Sequence, residues 1–253
     1  MRLDRLTAHY DRKYRAESAG AAWDWVPDVA YPTNRCEAAV HHILRNFRGG
    51  DVLELGAGNG QITRSLLLAG LPCSTYVASD LSESRLAGLR RSAPDPRVSV
   101  LRLDAERIPD EHHGRYDLVV MIALIEHLLD PIGAMREIRK LLRPGGFAYV
   151  ETPNIAKYTR RLKLLLGQFP STASQHEGLT TYEGAEVDLF DEGHLHYFTF
   201  RSLSAMLTER CGFARVRRAA YFHGRQYLGR PACARLARAW PGMFSDVVVL
   251  ANA

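Results

Sequence analysis

The fold of this chain is decided by the ten residues Asp51-Val-Leu-Glu-Leu-Gly-Ala-Gly-Asn-Gly60. An apolar strand pattern runs into a turn with the spacing Gly56-x-Gly58-x-Gly60, and a helical pattern begins directly after it. Glycine lets a backbone turn tightly and approach a ligand closely. The start of the following helix offers free N–H groups and the positive end of the helix dipole. The stretch therefore predicts a ligand-binding turn between a buried strand and a helix.

Two features separate this turn from a dinucleotide-binding turn. Its spacing is G-x-G-x-G instead of G-x-G-x-x-G, and Glu54 lies in the strand that leads into it. A carboxylate this close would repel a pyrophosphate and attract a cationic, amino-acid-like ligand. Asp80 ends the next predicted strand, where an acidic side chain reaches ribose hydroxyls in such folds. The pattern favours a cationic ligand with a ribose, while an NAD(P)-dependent oxidoreductase stays open as an alternative.

Short apolar runs alternate with helical patterns through the middle of the chain. Strands are predicted over residues 52–55, 75–79, 98–103, 118–122 and 147–151, and helices over residues 62–69, 84–91 and 132–142. Alternation at this spacing is typical of a parallel sheet with helices on both faces. The sequence therefore predicts a doubly wound α/β fold.

The pattern also divides the chain into regions. Residues 1–48, with a helix predicted over 36–47, are expected to form an N-terminal helical cap, and residues 49–253 the main domain. Residues 153–200 break the alternation and are predicted to be a substrate-binding lid, because long irregular segments in compact domains usually cover a site. The lid contains one basic amphipathic stretch. The remaining elements are predicted as a helix over 201–211 and strands over 213–219 and 246–251.

Five motifs resemble, in order, those of the class I S-adenosylmethionine (SAM)-dependent methyltransferases. They are Glu54-Leu-Gly-Ala-Gly-Asn-Gly60, Ser79-Asp-Leu-Ser82, Leu103-Asp-Ala105, residues 116–131, and Leu141-Leu-Arg-Pro-Gly-Gly146. The similarity covers roughly residues 50–152. It implies a Rossmann-like, seven-stranded mixed sheet of order 3-2-1-4-5-7-6 with strand 7 antiparallel, and residues 246–251 fit that last strand.

The resemblance implies SAM as the cofactor and assigns residues to its parts. Glu54, Gly56 and Gly58 would hold the methionine end, Asp80 the ribose, and Asp104 with its neighbour the adenine. The full predicted cofactor-binding set is Glu54, Gly56, Ala57, Gly58, Asp80, Leu81, Asp104, Ala105 and Met121. For the two aspartates the alternative is a helix N-cap or a turn at a strand end.

Candidate catalytic residues follow from the chemistry of methyl transfer. SAM carries an activated methyl group, so the protein must align a nucleophile, exclude water and accept a proton where the nucleophile carries one. Two segments could supply the base: Glu126-His127 after strand 4, and the lid end with His194 and His196, where adjacent acids could orient an imidazole. The alternatives are packing of His127 at the sheet edge and a surface position for the lid histidines.

No metal is predicted. Some relatives, the ubiquinone-pathway O-methyltransferases, carry an extra acid three residues before the Glu of Glu-His and use the cluster as a metal site, whereas Ala123 stands at that position here. Glu126, His127 and an acid from residues 188–192 remain a conceivable set for a divalent cation.

Composition narrows the partners and the compartment. The net charge is +5, and part of it comes from a late run of Arg215, Arg217, Arg218, Arg225, Arg230, Arg235 and Arg238. A solvated surface is favoured over a nucleic-acid face, because these arginines are not interleaved with stacking aromatics. The four cysteines form no C-x-x-C pair, so reduced thiols are expected. No apolar run approaches the ~18 residues of a membrane span, and no signal peptide is recognised, so a cytoplasmic protein is expected.

The leading hypothesis is O-methylation of a small-molecule hydroxyl, on a sugar, a glycan or a specialised metabolite. The histidine-rich lid end and the resemblance to small-molecule methyltransferases motivate it. The alternatives are N-methylation of a small amine, methylation of RNA, and a catalytically silent SAM-binding module. A small molecule is the expected partner, and a homodimer remains open.

Overall fold

The structure is a computed structural model that describes residues 30–92, 95–173, 181–182, 185–186 and 190–253. The predicted N-terminal cap therefore lies largely outside the described residues. Parts of the predicted lid lie outside them as well.

A seven-stranded sheet forms the centre of the molecule. Its strands are β1 (Gly50–Leu55), β2 (Cys73–Asp80), β3 (Val98–Arg102), β4 (Tyr116–Ile122), β5 (Leu142–Thr152), β6 (Arg215–Ala219) and β7 (Val247–Asn252). Their order is β3-β2-β1-β4-β5-β7-β6. The first five strands are parallel, and β7 is antiparallel to both of its neighbours. The predicted fold class and strand order are confirmed.

Eight α-helices connect or cover the described strands. They are α1 (Arg35–Asn46), α2 (Gln61–Leu68), α3 (Glu83–Ser92), α4 (Pro131–Leu141), α5 (Tyr158–Leu165), α6 (Phe200–Ala205), α7 (Arg230–Ala239) and α8 (Pro241–Phe244). The Asn34 side chain caps α1 by accepting a hydrogen bond from the Glu37 N–H, and Asp130 caps α4 in the same way. A π-helical turn, Met206–Arg210, continues α6 to one residue before the predicted helix end at Cys211.

The two faces of the sheet bury separate apolar layers. In β4, Val119 and Met121 pack with α4 and α6, whereas Leu118 and Val120 pack with α1 and α2 on the opposite face. A strand buried on both faces is nearly continuously apolar, as parallel strands between two helix layers require. The layer on the second face includes α1, so this helix belongs to the packing of the sheet.

All four cysteines are free and buried. Among the described residues, none of the helices combines the length and the apolar character needed to cross a membrane.

The packing of α1 predicts a large cost for shortening one side chain. Ile43 is fully buried, so Ile43→Ala is expected to lower the free energy of unfolding by about 2–5 kcal/mol. Leu68→Ala is the control, because Leu68 is 55% exposed and its truncation should change stability by less than about 0.5 kcal/mol. Chemical denaturation measures both. Equal effects would contradict the placement of α1 on the sheet.

Candidate active site

The glycine turn lies at the carboxyl end of β1. Gly56, Gly58 and Gly60 have φ values of 70°, 56° and 82°, a backbone region that other residues rarely adopt. The N–H of Ala57 donates to the carbonyl of Ser79 at 2.8 Å, which joins the turn to the end of β2. The sequence needs its glycines here because the turn is both left-handed and closely packed.

Asp80 holds the turn from the neighbouring strand. Its two carboxylate oxygens accept hydrogen bonds from the N–H groups of Gly58 and Ser82, each at 2.9 Å. These contacts are those of a turn at a strand end, the alternative that the sequence left open. Asp80 also borders a cavity, so the turn-stabilising role and the predicted ribose-binding role are compatible.

Two adjoining cavities open at this edge of the sheet. The narrow cavity has a volume of about 130 Å³ and the wide cavity about 390 Å³. Both are bordered by Gly56, Arg85, Ala123 and His127, so they share one boundary. The predicted cofactor residues divide between them: Asp80, Leu81, Asp104 and Ala105 line the narrow cavity, and Glu54, Ala57 and Gly58 line the wide one.

Met121 is the member of the predicted set that the structure places elsewhere. Its side chain is fully buried and packs in the apolar layer between β4 and α4. The residues of this segment that border a cavity are Ile122 and Ala123. The wide cavity thus begins one residue beyond Met121 along the chain, and a cofactor contact of Met121 stays a prediction.

Asp104 presents a carboxylate oxygen to the narrow cavity. One oxygen accepts a hydrogen bond from the Glu106 N–H at 3.0 Å, while the other is buried and has no hydrogen-bond partner among the described residues. A buried acceptor without a partner is costly, so this atom is suited to a donor on a ligand. An exocyclic amino group of a purine would supply such a donor.

Glu54 lies buried beneath the glycine turn. One of its oxygens accepts hydrogen bonds from the hydroxyls of Thr63 and Tyr76, both at 2.6 Å. Burial raises the pKa of Glu54 to about 7, and the nearby Asp80 adds to the rise. A cationic group in the wide cavity would favour the charged form of Glu54. The Glu54 carboxylate is therefore placed to pair with a ligand ammonium group.

Arg35 borders the same cavity, and the sequence analysis did not single it out. Within the described residues its guanidinium makes no hydrogen bond and no close ion pair. Glu151 raises its pKa most, and Asp246 also contributes, while burial acts in the opposite direction. Arg35 and Glu54 thus place a cation and an ionisable carboxyl group around one cavity, which matches the carboxylate and the ammonium of an amino acid.

Glu126 follows β4 in a 3₁₀ turn, Ile125–His127, after Ala123 in a left-handed conformation with φ 49°. One Glu126 oxygen accepts a hydrogen bond from the Thr152 hydroxyl at 2.9 Å, and the other is buried without a partner among the described residues. Burial raises the pKa of Glu126 to about 8, with Glu151 adding to the rise. Glu126 is therefore a neutral carboxylic acid at neutral pH.

His127 and His194 meet at the wide cavity. Their ring centroids lie 4.6 Å apart in an edge-to-face arrangement. The Nδ1 of His127 lies 3.1 Å from the carbonyl of Gly193, which can only accept, so Nδ1 carries the proton and Nε2 is the basic nitrogen of the neutral ring. Two segments predicted separately are thus brought together.

Asp191 orients His194 through Thr172. The Thr172 hydroxyl lies 3.1 Å from the Asp191 carboxylate and 2.6 Å from Nδ1 of His194. Burial works to raise the pKa of Asp191, but hydrogen bonds from Ser171, Thr172 and Tyr197 outweigh it and lower the pKa. An ionised Asp191 can only accept, so Thr172 donates to it and the histidine Nδ1 must donate to Thr172. Nε2 is then the basic nitrogen of His194 as well.

His196 lies outside both cavities. Its backbone N–H donates to the carbonyl of Glu126 at 3.1 Å, and its ring lies 6.4 Å from the ring of Phe198. Its Nε2 is buried without a hydrogen-bond partner among the described residues. Of the two predicted lid histidines, the structure brings His194 to the site.

The described ends of the predicted lid border the wide cavity through Pro153, Thr172, Ala173, Glu192 and His194. The guanidinium of Arg160, in α5, holds one of these ends by donating to the carbonyls of Ser171 and Thr172, each at 3.2 Å. The helix exposes a row of leucines to solvent: Leu162, Leu164 and Leu165. The role of residues 153–200 as a substrate-binding lid stays a prediction.

Glu126, His127 and His194 could also hold a metal ion. Each offers one ligand atom, and the three atoms lie within 4.8 Å of one another. Two imidazoles and a carboxylate suit several divalent metals. Glu126 would have to lose its proton first, and Ala123 supplies no fourth ligand. The predicted absence of a metal stays a prediction.

Comparison with known proteins agrees with this geometry. Residues 30–217 match a family model described as a methyltransferase domain. A doubly wound sheet whose glycine turn is bordered by acids at the ends of strands 1, 2 and 3 defines the class I SAM-dependent methyltransferases. The chain belongs to this methyltransferase family, and its cofactor is SAM. The pair Arg35 and Glu54 and the unpartnered oxygen of Asp104 fit the amino-acid and adenine ends of that cofactor.

Three similar proteins show how identity and coverage vary among the matches. A ubiquinone biosynthesis O-methyltransferase from Shewanella halifaxensis (strain HAW-EB4) is 25% identical over 71% of this chain and 79% of its own. One from Pseudomonas aeruginosa (strain LESB58) is 29% identical over 42% of this chain, and the match spans 45% of that relative. A SAM-dependent methyltransferase structure from Thermotoga maritima, described as a possible histamine N-methyltransferase, has a TM-score of 0.58 at 16% identity over 99% of this chain and 97% of its own.

Replacing Arg35 by Met is expected to weaken binding of S-adenosylhomocysteine (SAH) by about tenfold or more, because a charge-assisted hydrogen bond contributes about 1.5–3 kcal/mol. Methylthioadenosine lacks the amino-acid part, so its affinity should not change. Calorimetry measures both ligands. Arg48→Met, an exposed arginine just beyond α1, is the control. Equal losses for both ligands would contradict the assignment of Arg35 to the carboxylate.

Glu126→Gln is expected to stabilise the protein increasingly as the pH rises from about 5 to about 8. In the native protein the pKa of Glu126 is raised to about 8, whereas the unfolded carboxyl ionises near 4.5. The folded state therefore binds the extra proton across this window, and stability is lost as the pH rises through it. Glutamine resembles the protonated form at every pH. Denaturation at several pH values measures the difference, and a constant difference would contradict a neutral Glu126.

Proposed function

We propose that this chain transfers the methyl group of SAM to a hydroxyl of a small molecule, on a sugar, a glycan or a specialised metabolite. The observation that carries the proposal is the pairing of His127 and His194 at the wide cavity. Each ring is held through Nδ1, which leaves Nε2 as its basic nitrogen. A hydroxyl is a weak nucleophile at neutral pH, so it benefits from a positioned base of this kind.

In this proposal, different residues around the cavities bind SAM and accept the proton of the hydroxyl. Bound SAM supplies a methyl group already activated on a sulfonium. Asp80 and Asp104 hold the nucleoside end, and Arg35 with Glu54 holds the amino-acid end. His127 or His194 takes the hydroxyl proton at Nε2 as the acceptor oxygen attacks. Neutral Glu126 contributes no competing negative charge beside the histidines at neutral pH.

The size and lining of the wide cavity support a small polar acceptor. About 390 Å³ has to hold the amino-acid end of SAM together with the acceptor, which limits the acceptor to a small molecule. Its rim includes hydrogen-bonding side chains that suit hydroxylated compounds: Asn59, Gln61, Thr172 and Glu192. Relatives named ubiquinone biosynthesis O-methyltransferases agree with oxygen as the acceptor atom.

N-methylation of a small amine is the second candidate, and Glu192 is the observation that favours it. This acidic side chain lines the wide cavity close to His194 in the sequence and would attract an ammonium group. An amine that is already unprotonated needs positioning and desolvation, so it would depend little on either histidine.

His127→Ala and His194→Ala are each expected to lower kcat for a hydroxyl acceptor by about 10²–10⁴-fold, the contribution of a general base. His196→Ala should retain near-native kcat, because its ring lies outside both cavities, and it serves as the matched control. SAH release is measured at saturating SAM with a panel of sugars, phenols and amines, and SAH affinity is checked by calorimetry. Near-native kcat in both cavity variants with a hydroxyl acceptor would overturn the proposal. Amine turnover that is insensitive to both would support the second candidate.

A further inference from the structure

A third cavity lies apart from the methyl-transfer site. Its volume is about 650 Å³, and its described lining residues come from α1, β6, α7 and the segments beside them. Four arginines line it, and we call it the arginine cavity after them: Arg45, Arg217, Arg218 and Arg238. None of its described lining residues borders the narrow or the wide cavity.

The fold gathers these arginines from distant parts of the sequence. Arg45 lies in the last turn of α1, Arg217 and Arg218 in the edge strand β6, and Arg238 in the last turn of α7. The Arg217 guanidinium donates to the side-chain oxygen of Asn46 at 2.7 Å, which holds it between α1 and β6. The late arginines, interpreted from sequence as a solvated surface, thus contribute three members to a concave site.

Among the described residues, no acidic side chain balances the charge in this cavity. No acidic side chain occurs among its described lining residues, and none of the four arginines forms an ion pair within the part of the chain that the structure describes. Other arginines do: Arg143 pairs with Asp51, and Arg160 lies 3.6 Å from Asp246. Guanidinium groups that line one cavity without counter-charges among the described residues favour a bound anion, and Asn46 holds Arg217 on the α1 side of β6.

His42, one of the two histidines that line the cavity, does not add to this charge at neutral pH. Burial lowers the pKa of His42 to about 4, so its ring is neutral at neutral pH, and its Nε2 lies 3.2 Å from the carbonyl of Ala220. The guanidinium groups carry the permanent positive charge of the described lining. The remaining lining is partly apolar: Tyr31, Pro32, Pro241 and Leu250.

We propose that the arginine cavity binds a small molecule that carries one or two phosphate groups, at a site separate from methyl transfer. Guanidinium groups match phosphate oxygens with pairs of parallel hydrogen bonds. The volume lies within the range of small-ligand sites, and the apolar lining can cover the uncharged part of such a ligand. A single nucleic-acid strand needs successive stacking aromatics, and among the described lining residues Tyr31 is the exposed aromatic side chain.

Calorimetry with inorganic pyrophosphate tests the site on the full chain saturated with SAH, so that the methyl-transfer site is already filled. One pyrophosphate per chain is expected to bind, and to bind more weakly as potassium chloride is raised. The double variant Arg45→Gln/Arg238→Gln should bind pyrophosphate about tenfold or more weakly. Each replacement removes charge-assisted hydrogen bonds from a guanidinium group to the anion. Both side chains are exposed at the cavity rim, so the fold should tolerate the change.

The matched control is Arg48→Gln/Arg235→Gln. It removes the same charge from neighbouring exposed positions outside the cavity lining and should keep native affinity. Unchanged SAH affinity shows that each variant is folded, and it also separates this test from any failure of the proposed O-methylation. Absence of pyrophosphate binding, or equal loss in both double variants, would overturn the proposal. Binding of a short RNA that depends on Arg45 and Arg238 and is not displaced by pyrophosphate would overturn it in favour of a nucleic-acid surface.

Discussion

The hydrogen bond that the Gly58 N–H donates to the Asp80 carboxylate joins the ends of β1 and β2, and the site is built around it. It holds the glycine turn in a left-handed conformation that other residues adopt only with strain. A side chain at Gly58 would also approach the Arg85 guanidinium to 2.6 Å. Because β1 to β4 are parallel, their carboxyl ends share one edge, and the residues that follow them meet there. The narrow and wide cavities therefore form because parallel strands end at one edge and because Asp80 fixes the glycine turn in its left-handed conformation.

The parts of this architecture that could be predicted are those encoded locally. Strand and helix periodicity and the glycine turn lie within short windows, so motifs were enough to predict the sheet, its order and most residues that line the two adjoining cavities. Arg35 was missed because its place at the cavity depends on how α1 packs against the sheet, although the cap residue Asn34 marks the start of that helix. The distinction between His194 and His196 was inaccessible for another reason. Asp191 and Glu192 have φ values of 47° and 56°, so the chain direction there follows no regular period.

Glu54 and Glu126 show how one physical effect serves two purposes. Burial raises the pKa of both, to about 7 and about 8. Glu54 receives two hydroxyl donors and lines the cavity together with Arg35, so a cationic ligand can bring it to the charged form. Glu126 receives one hydroxyl donor and keeps a buried oxygen without a partner among the described residues. The first is thus suited to recognise charge, whereas the second keeps the region beside the histidines neutral.

The two ends of α1 carry arginines under opposite electrostatic conditions. Arg45 lies in the last turn, where the helix dipole favours a cation, so its charge is tolerated without an acidic partner. Arg35 lies at the first helical position, where the dipole disfavours a cation, and its positive charge is supported by Glu151 and Asp246 across the sheet edge. A helix start that also carries a guanidinium is a strong site for a carboxylate, because the dipole and the side chain then attract the same group. Acids of the fold therefore offset the unfavourable helix position of Arg35, and its place beside the wide cavity leaves the same guanidinium available to a ligand carboxylate.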